Sequence, residues 1–199
     1  MVFPQTCFKI TSTEMEESMN KRFLRVLLSI IVICLILPAA VFAAEDITGL
    51  WKTVDDETGN PKGVVAVYKY QGKIYGRVIA SFDDEGEYID DDMYRQLNTS
   101  PYLVGDPAFN ALTIIWDMKD KGKKWGGGKI MDPGDAEEDK PGIYDCQLWK
   151  EGETLIVRGK ILFFGRNQTW YPMDNAEFPD GFVIPDWKNF KPEIPKLKK

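Results

Sequence analysis

The chain of 199 residues has no histidine and only three cysteines. Without histidine, Ser-His and Cys-His nucleophile pairs and most zinc sites are excluded. Cys7 and Cys34 lie before the cleavage site predicted below, so a chain cleaved there keeps only Cys146 and has no intramolecular disulfide. Cys146 alternates with Tyr144 and Leu148, which predicts a buried apolar side chain rather than a reactive thiol.

Long apolar runs are also scarce, and the main one belongs to a pattern typical of a secretory signal peptide at residues 19–43. Three basic residues precede the apolar stretch, and Val41 and Ala43 place small side chains before a cleavage site. We expect cleavage near Ala43/Ala44, translation from Met19, and export to the periplasm or the medium. An uncleaved membrane anchor is the alternative, because the apolar stretch is almost long enough to span a bilayer.

Acidic side chains outnumber basic ones, with a net charge of −6 for the full chain. Removal of residues 1–43 leaves 21 basic against 28 acidic side chains, a net charge of −7. This balance opposes nonspecific nucleic-acid binding and favours a protein that is not integral to the membrane after cleavage.

Short segments with β-branched and aromatic residues recur between glycine-containing turns, and no long helix is indicated. The predicted strands cover residues 48–54, 64–70, 73–81, 112–118, 125–131, 143–150, 154–161 and 163–173. We therefore predict an all-β fold, an antiparallel up-and-down β-barrel of about eight strands, over residues 44–173. Gly76 and the run 126–128 predict bulges or close backbone contacts within strands.

Two segments break this rhythm. Residues 82–109 are acidic, and we expect a mobile loop or lid there with a short helix near 91–97. Residues 174–199 form a tail rich in proline, aromatic and basic residues. We expect its aromatic residues to pack along the barrel and its end to be disordered; the alternative is an arm that docks a partner or an anionic surface.

Carboxylates are the remaining candidates for metal binding or catalysis. The acidic cluster at 83–92 lacks the spacing of a calcium loop, so we interpret it as solvated. A glycosidase-type pair could in principle use Asp55, Asp56 and Asp132, but all three lie in turn sequences, and turn capping is the interpretation we prefer. We therefore expect neither metal nor cofactor, and a binding protein rather than an enzyme.

The opening Gly49-Leu50-Trp51, together with Arg158 or Arg166 in the last strands, resembles the lipocalin arrangement. The resemblance implies that Trp51 closes one end of the barrel and that one of the two arginines packs on its ring as a cation–π pair. Asp56 is another candidate partner for a buried arginine.

A longer match covers residues 49–171 and is similar to the exported bacterial family catalogued as domain of unknown function 2147. The matching motifs lie at residues 51–53, 55–56, 72–78, 125–133, 144, 155–159 and 165–170. This resemblance implies a lipocalin-like barrel, export and no settled activity. It does not extend to the acidic content of 82–92, the extra residues 135–141 or the tail.

We therefore expect a cup that binds a small apolar or amphipathic ligand, with an arginine as anchor for a fatty-acid-like carboxylate. The candidate ligand-binding residues are Tyr75, Arg77, Trp116, Trp125, Tyr144 and Trp170. Two other hypotheses remain open: a structural or interaction protein of the envelope without a ligand, and a carbohydrate-binding module or hydrolase.

Overall fold

The structure is a computed structural model that describes residues 20–25, 43–55, 58–83, 86–92, 94, 98–133, 140–161 and 164–199. For residues 88–92, 161 and 164 it describes the backbone alone. The chain divides into two compact units, residues 1–41 and residues 42–199. In the first unit, residues 20–25 are helical, and the rest of the predicted leader up to residue 42 lies outside the described residues. No helix within the described ranges has the length and hydropathy to cross a membrane.

In the second unit, the regular secondary structure of the described residues is β-strand apart from two short 3-10 helices in the tail, Asn175–Glu177 and Trp187–Asn189. The strands are β1 (Gly49–Val54), β2 (Pro61–Tyr70), β3 (Lys73–Phe82), β4 (Tyr88–Asp92), β5 (Thr113–Asp120), β6 (Trp125–Asp132), β7 (Gly142–Glu151), β8 (Thr154–Ile161) and β9 (Phe164–Pro172). All eight predicted strands are present with shifts of at most three residues at their ends. Strand β4 was not predicted, and the helix expected near 91–97 is wrong at its start, because Asp91 and Asp92 extend β4.

The sheet closes on itself. Its strand order is β2-β1-β9-β8-β7-β6-β5-β3-β4, and β2 also pairs with β3. Eight strands therefore form a ring of antiparallel neighbours, with β4 attached at the end of β3. Since each strand pairs with the strands next to it in sequence, apart from β4 and the β1–β9 closure, the fold is the predicted up-and-down barrel.

Glycines allow the strands to bend where the barrel curves. The register shifts on both sides of Gly76, where a side chain would meet Ile115 and Val65 at 3.2 Å. A second shift between Gly126 and Gly128 leaves Gly127 as the extra residue, with φ of +73°. Both sites confirm the predicted bulges and close contacts.

The barrel interior is packed with apolar side chains. Inward-facing residues alternate along each strand, so that registered partners such as Leu148, Val157 and Trp125 lie on the same face. The interior core includes Ile47, Trp51, Val65, Val67, Ile74, Met118, Trp125, Cys146, Leu148, Leu155, Val157 and Trp170. Cys146 is 2% exposed, and burial raises the pKa of its thiol to about 12, as expected for an inert position.

A second apolar cluster lies on the outer face of β1–β3, and the tail covers it. This outer core comprises Leu50, Val64, Ala66, Ile79, Ala80 and Met173. The tail residues packed against it are Phe178, Phe182, Ile184, Trp187 and Phe190. Strand β2 is therefore buried on both faces. The prediction that the tail packs along the barrel through its aromatic residues is confirmed.

The end of the tail pairs with the segment that precedes β5. Val104 N–H donates to Lys196 O and Lys198 N–H donates to Tyr102 O, both at 2.8 Å. The Lys198 ammonium also lies 2.6 Å from Asp106. The expectation of a disordered end is wrong, because these backbone bonds hold it in place.

Candidate functional site

The segment before β1 crosses one end of the barrel and closes it. The Trp51 indole N–H donates to Ile47 O at 2.9 Å, and the Trp125 indole N–H donates to Glu45 O at 2.8 Å. Ile47 itself is 1% exposed and belongs to the interior core. We call this end, which also carries the β2–β3, β5–β6 and β7–β8 turns, the closed end.

The predicted arginine contact to Trp51 is wrong. Arg158 pairs with Asn167 between the inward-facing Val157 and Gly159, so its side chain points outward, where it lies against Gly165. Arg166 does face inward, because its register partner Gly159 is opposite Cys146. However, Trp51 pairs with Pro172, which is six residues after Arg166 on β9. At about 3.3 Å per residue, Arg166 is therefore roughly 20 Å from Trp51 along the strand.

A different cation faces an indole at the closed end. The Lys69 ammonium lies 5.8 Å from the centre of the Trp125 ring. A pocket of about 360 Å³ surrounds this pair and is lined by Ala43, Ala44, Asp46, Thr48, Lys69, Asp120 and Trp125. Ala43 belongs to the predicted leader, so removal of the leader would take away part of this pocket's lining.

At the opposite end, inward-facing side chains become progressively exposed. Along β9, Trp170 is 1% exposed, Gln168 is half-buried and Arg166 is exposed. The same gradient occurs on the neighbouring strands, where the residues beyond the buried core are half-buried: Thr53, Val78, Ile130, Tyr144 and Gly159. We call this set, together with Gln168 and Arg166, the open end. It is the candidate functional site.

The open end combines an apolar wall with polar residues at its rim, which are Gln168 and Arg166 on β9 and Asp132, two residues beyond inward-facing Ile130 on β6. Ile130 and Val78 pack on the interior core, and a side chain at Gly159 would meet Ile130 and Tyr144 at 3.8 Å. Gln168 accepts a hydrogen bond from the Trp170 indole N–H at 3.4 Å, which links the rim to the buried floor. This arrangement could hold an apolar group inside and a polar or anionic group at the rim.

Two of the predicted cup residues, both on β3, lie outside the barrel instead. Tyr75 and Arg77 flank the inward-facing Gly76, so both point outward. The Arg77 guanidinium lies 4.7 Å from the Phe190 ring and donates to Lys191 O at 2.7 Å, so the tail covers it. The placement of Tyr75 and Arg77 in the cup is therefore wrong.

Tyr75 takes part in a polar cluster on that outer face. Lys73 donates to Asp117 at 2.5 Å and the Tyr75 hydroxyl donates to the same oxygen at 3.2 Å. The hydrogen bond from Lys73 lowers the pKa of Asp117, with a further contribution from Tyr75. Burial, and then the charge of Asp117, raises the pKa of Tyr75 to about 12. This cluster fastens β3 to β5.

The four other predicted aromatic residues of the cup have different positions. Trp125 and Trp170 are at most 5% exposed and fill the interior, whereas Trp116 is opposite the exposed Lys129 and next to inward-facing Ile115, so its buried side chain points outward and its placement in the cup is wrong. Tyr144 alone is half-buried at the open end, where its ring lies over Gly142. Sequence reasoning missed four wall residues: Thr53, Val78, Ile130 and Gly159. The available signal was the two-residue period of each strand, since each of them lies two positions from an inward-facing residue.

Asp55, one of the candidate carboxylates, caps a turn. Asp55 accepts hydrogen bonds from the Thr58 backbone N–H at 2.8 Å and from its hydroxyl at 3.2 Å. Asp56 lies outside the described residues, as do Asp84 and Glu85 of the acidic cluster. Within the described ranges, no group of three or more acidic or cysteine side chains is arranged to hold a metal ion.

Comparison with known proteins gives the family. The sequence profile of a family described as "Uncharacterized protein conserved in bacteria (DUF2147)" matches residues 49–171. The chain belongs to this family. The match covers β1 to β9 up to Tyr171 and stops before the tail, as the motifs predicted.

A solved structure from Helicobacter pylori is similar to the chain. It is protein HP1028, described as belonging to the lipocalin family, with 20% sequence identity and a TM-score of 0.48 over 66% of this chain and 86% of that chain. The barrel assignment rests on the strand pairing rather than on this likeness. No curated protein matches the chain.

Proposed function

We propose that this protein is exported and binds a small amphipathic, fatty-acid-like molecule in the open end of its barrel. The observation that carries the proposal is the exposure gradient of the inward-facing residues, from buried Trp170 to exposed Arg166. Small barrels of eight strands leave room for one small ligand at most.

The depth of the open end limits the size of the ligand. Trp170 and Arg166 are four residues apart on β9, or about 13 Å along the strand and about 10 Å along the barrel axis at the usual tilt. Below that level Trp51, Leu148 and Leu155 fill the interior. This distance is an upper limit, because the inward-facing Val157 and Cys146 beside Gln168 and Arg166 are only 2% exposed. The site therefore suits at most a medium-length apolar chain and excludes a long one in extended form.

The rim supports a carboxylate or another small anion at the head of the ligand. The Arg166 guanidinium can bind a carboxylate through two parallel hydrogen bonds. Gln168, the next inward-facing residue toward Trp170, has an amide group that can donate another. The chain as a whole is acidic, with a net charge of −7 after removal of residues 1–43, so general attraction of anions is not expected. Binding would depend on the local contribution of Arg166.

Export is supported by the leader pattern at residues 19–43. The rival hypothesis, a tail that docks a partner, receives less support because the aromatic residues of the tail already pack on the barrel.

A binding titration with a matched pair of variants tests the ligand site. Arg166→Gln removes the charge at the rim, whereas Arg158→Gln removes the same charge from the outer face one strand away. With a saturated medium-chain carboxylate as probe, we expect Arg166→Gln to weaken binding about tenfold, the lower range for a charge-assisted hydrogen bond, because the rim is exposed. Arg158→Gln should leave the affinity unchanged.

A second variant fills the cup without changing the rim charge. Gly159→Val adds a side chain whose Cβ has only ordinary contacts, to Ile130 and Tyr144. We expect it to remove binding of both the carboxylate and the alcohol of the same length while the protein stays folded. Equal affinities of both arginine variants, or binding by Gly159→Val at the native level, would contradict the proposed site. Native mass spectrometry of the protein taken from its own envelope identifies the natural ligand.

A further inference from the structure

The backbone nitrogen of Ala44 contacts a carboxylate at the closed end. Ala44 N–H donates to Asp120 Oδ1 at 3.0 Å. Ala44 is also the first residue after the cleavage site that the leader pattern predicts. The atom that cleavage would convert into an α-amino group is thus already in hydrogen-bonding contact with an acidic side chain.

Asp120 is held in place independently of Ala44. It ends β5 opposite Trp125, and its Oδ1 also accepts the Gly122 backbone N–H at 2.7 Å. This second bond caps the β5–β6 turn. The carboxylate therefore keeps its position whatever happens to the N-terminal segment.

The residues after Ala44 are fixed by their own contacts. Trp125 donates to Glu45 O, Lys150 lies 3.4 Å from the Glu45 carboxylate, and Ile47 is buried in the interior core. None of these contacts involves residues before Ala44. Removal of the leader should therefore leave the nitrogen of Ala44 where it is, beside Asp120.

We infer that leader removal creates an ion pair between the α-ammonium group of Ala44 and Asp120, which fastens the closed end of the barrel. Hydrolysis of the Ala43–Ala44 peptide bond consumes one water, leaves a carboxylate on Ala43 and leaves an amine, protonated near neutral pH, on Ala44. A neutral amide contact in the precursor becomes a charge-assisted hydrogen bond in the cleaved chain. The inference rests on the export component of the proposed function, not on ligand binding.

Two other charged groups, Lys69 and Asp46, line the same pocket, and their positions decide which carboxylate the new amino terminus faces. Lys69 lies over the Trp125 ring and repels the new ammonium group. Asp46 accepts the Thr48 backbone N–H at 3.0 Å, which occupies its Oδ1 in a local turn. Asp120 is therefore the carboxylate that the terminus faces, and Asp46 provides a matched control.

A double-mutant cycle on purified chains tests the pair. One chain begins at Ala44 and the other at residue 42, each released from a fusion with a defined first residue, and each carries Asp120 or Asp120→Asn. Asparagine keeps the oxygen that caps the turn, so both variants should fold. A partly exposed ion pair contributes about 0.5–1 kcal/mol, which corresponds to a Tm change of roughly 1–4 °C in a chain of this size.

We expect Asp120→Asn to lower Tm by about 2 °C more in the chain that begins at Ala44 than in the longer chain, and high salt should reduce this excess. Asp46→Asn should change both chains equally. An equal effect of Asp120→Asn in both chains would overturn the inference.

The position of cleavage is measured separately, by the intact mass of the protein recovered after export. A terminus elsewhere than Ala44 would refute the export component as stated and with it the natural occurrence of the pair. The ligand titration of Arg166→Gln is unaffected by either result, so failure of the ion pair and failure of the ligand site are distinguishable.

Discussion

Three consecutive glycines in β6 should respond very differently to the same substitution. Gly126, Gly127 and Gly128 form the bulge opposite β7, and each can be replaced singly by alanine. The added methyl group is identical in the three variants, so any difference in stability reports the local geometry alone.

The structure assigns a separate cost to each position. At Gly126 the new Cβ would have its nearest contact at 3.7 Å, an ordinary distance, so the change should be neutral or stabilise by up to about 0.5 kcal/mol through the unfolded state. At Gly127 the positive φ of +73° should cost about 1–2 kcal/mol. At Gly128 the Cβ would collide with the Trp116 carbonyl oxygen and come within 2.6 Å of Met118 Sδ, which should cost about 3 kcal/mol or more.

Urea unfolding followed by tryptophan fluorescence measures the three free energies of unfolding. The expected order of stability is Gly126→Ala, then Gly127→Ala, then Gly128→Ala. A Gly128→Ala variant as stable as Gly126→Ala would refute the position of the bulge and with it the register of β5, β6 and β7.

Three further predictions concern other parts of the barrel. Cys146 should not react with a thiol reagent at pH 8 until the protein unfolds, because its thiol is buried and its pKa is raised; fast labelling under native conditions would contradict this. The pKa of Asp117 is lowered in the folded state, so its contribution to stability is present above the ordinary value of 3.8 and is lost as the pH falls through the folded value. Asp117→Asn should therefore lower the urea midpoint at pH 7 and have little effect near pH 2; equal losses at both would count against the charge. Phe182→Ala should cost about 1–2 kcal/mol, since this half-buried ring stacks on Phe178 at 4.4 Å and covers the outer core. No loss in thermal stability would show that the tail does not hold that face.

The strand pattern could be predicted from the sequence because each strand carries a local signal. Alternating apolar residues and glycine turns mark the strands of the barrel ring within three residues of their observed ends. The burial of Cys146 follows from the same alternation, whereas the position of Trp51 at one end of the barrel was implied by the resemblance of the opening motif. Strand β4 carries no such signal, because three of its five residues are aspartate.

The arginine contacts could not be predicted because they depend on register. Arg158 and Arg166 both stand among apolar neighbours in the sequence, but they face opposite sides of the barrel. Which side each faces depends on the phase of the whole strand, and its distance from Trp51 depends on the pairing of β9 with β1. Neither quantity is encoded near the arginines themselves.

The positions of Tyr75 and Arg77 on the outer face could not be predicted for a different reason. Tyr75 and Arg77 are as buried as interior residues. The tail covers Arg77 through Phe190 and Lys191, and Tyr75 packs against Tyr68 and Tyr70 on the same outer face. A strand buried on both faces loses the contrast between its two sets of side chains, so alternation no longer identifies the interior. The pairing of Ala44 with Asp120 is likewise a contact between distant segments that only the folded barrel creates.

Two-dimensional NMR of the chain that begins at Ala44, titrated with a medium-chain carboxylate, tests the ligand site most directly. We predict that the backbone signals of Thr53, Val78, Ile130, Tyr144 and Gly159 shift with a common saturation curve, while those of Lys69, Asp120 and Trp125 remain in place. Shifts confined to the closed end, or no saturable shift at any concentration, would contradict the assignment of the open end as the binding site.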